Sequence, residues 1–153
     1  MEGAHPEGGD VRAAPPGGGH DTCCWDAMAK DIAEWAPRPG NTEFDGALRY
    51  LSLQFSSSVA RRLVAKARCT ACSEHVAKDI LRACQLPLLP KDERHVADNL
   101  KKIRKGKPMA PVILVRGDLM SGRLLVIADG YHRMCAACHA DEDSPVAVVL
   151  VSP

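Results

Sequence analysis

Apolar residues recur along the chain at two different spacings, and the change from one to the other divides it. Trp25, Met28, Ile32 and Trp35 fall three or four residues apart. This spacing predicts a short amphipathic helix, capped by Asp21 or Thr22 and ended by Pro37. Pro37-Arg38-Pro39-Gly40-Asn41 reads as a linker. Thr42-Glu43-Phe44-Asp45 resembles a capping box with Asp in the last place, and Phe44, Leu48 and Leu51 mark the helix it opens. Ser56-Ser57-Ser58 interrupts the pattern. Val59, Leu63 and Val64 mark a third helix, whose polar face carries Arg61, Arg62, Lys66 and Arg68. Ser73 is the expected cap of a fourth, with Val76, Ile80, Leu81 and Cys84 as its apolar face. No strand pattern occurs in this half.

The second half changes period. Leu86-Pro87-Leu88-Leu89-Pro90 predicts a short extended segment, because a residue before proline avoids the helical region. Asp92 or Glu93 starts a helix through Arg104, with Val96, Leu100 and Ile103 on one face, closed by Gly106 and blocked by Pro108. Pro111 to Val115 is an apolar run, as is Leu124 to Ala128. The turn between them, Arg116 to Gly122, predicts a hairpin. A short helix follows from about Tyr131 to His139, then a last strand, Val146 to Val151. The expected fold is α+β, a small mixed sheet with flanking helices preceded by a helical extension. The segments are a Gly/Pro-rich tail at 1–20, too poor in apolar residues to pack, a helical extension at 21–84 and a sheet domain at 85–153.

Composition narrows the picture. Aromatic residues make up only 4% of the 153, so the core must be aliphatic. The formal net charge is +1, which calls for no polyanionic partner, so nucleic acid is not expected. The longest apolar run, six residues from Val146 to Val151, is far too short to span a membrane. Seven cysteines, an odd number, and an N-terminus without a basic start or apolar core indicate reduced thiols and a cytoplasmic location.

The chemistry concentrates at Asp129-Gly130-Tyr131-His132-Arg133, where a strand gives way to a helix. The first turn of a helix presents unpaired N–H groups, and the helix dipole favours an anion there. That dipole contributes only about 0.3–1 kcal/mol at an exposed site. Charge-assisted hydrogen bonds from Arg133 and His132 would add roughly 1.5–3 kcal/mol each. Gly130 lets backbone approach a ligand closely. Asp129 is placed to orient Arg133 or to hold a metal that bridges phosphates. A purely structural turn, with Arg133 paired to Asp129 or to the Asp141–Asp143 cluster, is the competing reading of the same residues.

Three segments together resemble the ParB/sulfiredoxin superfamily: Gly-Lys-Pro-Met-Ala-Pro-Val-Ile-Leu-Val (106–115), Ile-Ala-Asp-Gly-Tyr-His-Arg-Met-Cys-Ala-Ala (127–137) and Pro-Val-Ala-Val-Val-Leu-Val (145–151). The resemblance covers roughly Leu86 to Val151 and centres on Asp-Gly-x-His-Arg. It implies a domain that binds a nucleotide, a nucleoside di- or triphosphate such as ATP with Mg2+. His132 and Arg133 would meet the phosphates, and Gly130 would be the close-approach glycine. Members repair oxidised thiols with ATP, hydrolyse CTP or phosphorylate free serine. If this chain is catalytic, phosphoryl transfer or nucleotide hydrolysis is the expected class, with Asp129, His132 and Arg133 as catalytic residues and Gly130 to Arg133 as the nucleotide cradle.

Two departures narrow this expectation. Tyr131 stands where sulfiredoxin carries its working cysteine, so thiol repair is not expected. The chain ends at Pro153, two residues after the last strand, without the helix-turn-helix of a partition protein. A serine kinase would need a carboxylate base, for which Asp129, Asp92 and Glu93 are candidates. The alternatives are a non-enzymatic nucleotide-gated or structural module, in which residues 21–84 dock a protein partner or a second copy, and a metal-dependent nuclease. Cys69-x-x-Cys72 and Cys135-x-x-Cys138 have spacing that suits zinc, yet they read first as small buried hydrophobes. No metal ligands are assigned. The basic run from Lys101 to Lys107 reads as the solvated end of a helix, its cations complementing the C-terminal dipole.

Overall fold

The two most continuous apolar runs lie side by side at the centre of a sheet. They are β2, Val112–Val115, and β4, Pro145–Val151, paired in parallel with Val112 opposite Val148. Their continuity has a physical cause: both faces are covered, so neither strand has a solvent side on which to alternate. Val112, Leu114, Val146 and Val148 pack with α3 (Ala77–Cys84), α4 (Arg94–Arg104) and α5 (Tyr131–Ala140). Ile113, Val115, Val149 and Val151 pack with α1 (Asn41–Gln54) and α2 (Ser57–Cys69). The edges are β1 (Ser73–Val76), antiparallel to β4, and β3 (Val126–Asp129), antiparallel to β2, giving the order β1-β4-β2-β3. This computed structural model describes residues 31–153, which form a mixed α+β fold with four strands and five α-helices. The tail at 1–20 and the Trp25 and Met28 positions lie outside the described residues.

Several sequence expectations are corrected. Ser73 does not cap a helix: Ser73–Val76 is a strand, and α3 begins at Ala77. The open edge of β4 supplies partners for this backbone, with Ser73 opposite Val148 and Val76 opposite Pro145. The segment at 86–90 joins no strand of the sheet. Pro87 and Pro90 have no N–H for a ladder, and the carbonyls there serve side chains instead. The hydroxyl of Tyr131 donates to the Pro87 carbonyl, and His139 Nε2 donates to that of Leu89 at 2.6 Å.

The described end of the first expected helix, residues 31–36, is not helical, and Trp35 bridges to Met109 instead. Ala36 donates to the Met109 carbonyl and Met109 to that of Glu34, both at 2.8 Å, while Trp35 Nε1 donates to the Pro145 carbonyl at 3.1 Å. Pro37 disfavours helix at Ala36, and these bonds supply the alternative. The capping box sits earlier than expected: α1 has Gly40 as its cap, and the Glu43 carboxylate accepts from the Gly40 N–H at 2.9 Å. The cap of α4 is Glu93, which accepts from the Val96 N–H at 2.9 Å.

Candidate functional site

Strand β3 ends in a bulge that aims the site. Leu114 pairs with Ile127 and Ile113 with Asp129, leaving Ala128 as the extra residue on β3. Ala128 packs against the α1–α2 face. The carboxylate of Asp129 turns to the same side, where a Cβ on Gly46 of α1 would come within 2.7 Å of its Oδ1. Two consecutive side chains therefore face α1, which a regular strand would not allow.

Gly130 then caps α5 at φ +102, ψ +18, a conformation open to glycine alone among ordinary residues. A Cβ at this position would also crowd Val112, at 3.1 Å from its Cγ2 and 3.3 Å from its Cα. The first helical hydrogen bond runs from Met134 N–H to the Gly130 carbonyl at 2.9 Å. The cap provides no side-chain acceptor, and the amides of Tyr131, His132 and Arg133 find none among the described residues.

These amides border a cleft of about 390 Å³, lined on the facing side by His95, Asn99 and Lys102 of α4. The imidazoles of His95 and His132 lie 4.9 Å apart, and His132 Nε2 is 3.8 Å from Glu93. Asn99 donates to the His95 carbonyl at 2.8 Å, which holds its side chain in place. Lys102 is exposed and turns its ammonium towards Asn99, 3.5 Å away, leaving most of its donor capacity for the cleft. Lys101 instead pairs with Asp98 at 3.2 Å.

Arg133 reaches back one helical turn, and its Nη2 donates to Asp129 Oδ2 at 2.6 Å. Both side chains are largely buried, 18% and 22% exposed, and Arg133 Nε has no partner among the described residues. Burial pushes the Asp129 carboxyl above its usual value, while the charge of Arg133 and its hydrogen bond pull the other way. Tyr131 projects to the side of Pro87, with its phenol raised by burial.

The structure thus brings Asp129, Gly130, Tyr131, His132 and Arg133 to the edge of one cleft. Sequence reading missed His95, Asn99 and Lys102 as its far wall. Their signal was present as polar positions four and three residues apart, beside the apolar stripe of α4. Asp92 does not line this cleft, and Lys105 and Lys107 do not either. The two Cys-x-x-Cys pairs are not brought together: among the described residues, no three His, Cys, Asp or Glu side chains are grouped to hold a metal. Cys84 and Cys135 are buried in the core, and burial pushes the Cys84 thiol up to about 11. None of the helices among the described residues is long and apolar enough to cross a membrane. Comparison of the chain with family models, with curated proteins and with solved structures gives no match in any of the three.

Proposed function

We propose that the chain binds the phosphate groups of a nucleoside di- or triphosphate at the N-terminus of α5. The observation that carries this reading is the set of three amides behind Gly130, unpartnered among the described residues and opening onto a cleft with Lys102 and two imidazoles on its walls. It agrees with the nucleotide site implied by the resemblance of Asp129 to Arg133 to the ParB/sulfiredoxin motif. The role of Arg133 is to keep a positive charge beside the amides, with its guanidinium fixed by Asp129. Lys102 and His132 are the side chains free to donate directly to phosphate oxygens.

The residues present fit phosphate better than they fit a metal. Asp129 is engaged with Arg133, and Glu93 caps α4. A magnesium ion would therefore be carried by the phosphates, not by a dedicated set of carboxylates. The same observation favours a second reading, a nucleotide-gated module without turnover, because neither nearby carboxylate is free to act as a base. The nuclease alternative calls for a metal-binding cluster, which the described residues do not form.

Calorimetric titration with ATP, ADP, CTP and tripolyphosphate tests the reading. Lys102→Ala should weaken binding by about tenfold, the loss of one charge-assisted contact. Lys101→Ala, on the outer face of α4, should leave it unchanged. Equal losses in the two variants would point to diffuse electrostatics and against the cradle. Bound nucleotide that is recovered unchanged would select the module; release of phosphate or transfer to an acceptor would select the enzyme.

A further inference from the structure

Phosphate contacts alone leave such a ligand weakly held. Two charge-assisted bonds and the helix dipole must offset the cost of association, and they hold no part of the ligand beyond its phosphates. The seam, however, has a second side. A further cleft of about 430 Å³ borders the same Asp129–His132 segment and is walled by Gly46, Arg49 and Tyr50 of α1 together with Leu86. Both clefts fall within the usual size range of ligand pockets, and they share Asp129, Gly130, Tyr131 and His132. A molecule lying across the start of α5 would reach into both.

The chemistry of the second cleft differs from that of the first. Tyr50 is 39% exposed and Leu86 40% exposed, so a phenol ring and an aliphatic side chain both present apolar surface to solvent. Arg49 is exposed and forms no hydrogen bond or ion pair among the described residues, its charge acting only at longer range on the Asp129 carboxyl. Gly46 allows this arrangement, since a side chain there would collide with Asp129 and push α1 away from the end of β3. The core positions of α1 are Phe44, Ala47 and Leu51, so the stripe Gly46, Arg49 and Tyr50 lies off its packed face, with only Gly46 held close to Asp129. It also lies outside the Leu86–Val151 span of the family resemblance, which makes the α1 side of this wall a feature of the chain's own extension.

We infer that the α1-side cleft receives the nucleoside half of the ligand, with the base against Tyr50 and Leu86 and Arg49 on the phosphate nearest the ribose. The inference rests on the proposed phosphate site. It gives the α1 helix a function in recognition: phosphate binding at α5 selects anions, and the α1 wall selects nucleotides among them.

The test titrates ATP, GTP, CTP, UTP and tripolyphosphate into wild type, Tyr50→Ala and Tyr50→Phe, with thermal melts to verify folding. Wild type should bind its preferred nucleotide more tightly than tripolyphosphate. Tyr50→Ala should weaken that nucleotide by about tenfold or more, the usual effect of removing one base-stacking ring. It should leave tripolyphosphate unchanged, and Tyr50→Phe should keep wild-type affinity. Nucleotide bound equally by wild type and Tyr50→Ala would overturn the inference and leave the phosphate site standing. So would tripolyphosphate bound by wild type as tightly as any nucleotide. Binding of none of the five would overturn both.

Discussion

Arg133→Ala is expected to destabilise the protein by about 2–3 kcal/mol at neutral pH and to remove phosphate binding. The guanidinium is the near partner of a carboxylate that is 22% exposed and already raised by burial. Removing it leaves Asp129 charged and without its 2.6 Å donor. A fully buried pair would cost more, and an exposed pair much less.

The pH dependence distinguishes this cause from lost packing. A carboxyl whose folded pKa lies above its unfolded value opposes folding once it ionises, so stability is lost as pH rises through the folded pKa. In wild type, Arg133 holds part of that shift back. In the variant only the charge of Arg49 still restrains it, and the carboxyl shifts further upward. The stability gap between the two proteins should therefore be widest near about pH 7 and narrow on acidification towards about pH 4, as Asp129 takes up its proton. Urea denaturation at a series of pH values reads this directly. A gap that stays constant with pH would assign the loss to packing. Adding Asp129→Asn to the variant should recover most of the stability at neutral pH and none of the binding.

Gly130→Ala should cost about 2–3 kcal/mol, the combined effect of a left-handed φ and crowding in a packed site. The φ of +102 lies beyond the region that alanine tolerates, and the new Cβ would sit 3.1 Å from Val112 Cγ2 on a central strand with no room to retreat. Relief requires the start of α5 to move. That movement would turn the amides of Tyr131, His132 and Arg133 out of line. A lower melting temperature together with lost phosphate affinity is the expected pair of results. An unchanged melting temperature with wild-type affinity would show that the cap tolerates a side chain, and that backbone approach at this position is not what shapes the site.

Which parts were legible in the sequence follows from what each element depends on. β2 and β4 could be read because burial on both faces leaves an unbroken apolar run. The α4 helix could be read because its cap at Glu93 and its stripe Val96, Leu100 and Ile103 are local. The β3–α5 seam was placed within a residue or two, since Gly130 marks it. β3 starts later than the apolar run suggested, because Arg123 is drawn into a bridge with Asp118 across the preceding turn.

β1 was not legible: three of its four side chains are exposed, and its strand character comes entirely from the edge of β4. The Trp35 segment was misread for a related reason. Its apolar spacing imitates a helix, while its backbone bonds go to Met109, far away in sequence. Only the motif half of the candidate site was visible. Its walls, His95 and Lys102 on one side and Arg49 and Tyr50 on the other, arrive through tertiary packing. The bulge at Ala128, which turns Asp129 towards α1, leaves no mark in local composition.

The most direct measurement is a 15N–1H amide spectrum of the full chain titrated with ATP and, separately, with tripolyphosphate. The amide protons of Tyr131, His132 and Arg133 are expected to move downfield together and to saturate with both ligands, as each gains an anionic acceptor. Saturable binding that leaves these three resonances in place while others shift would contradict this.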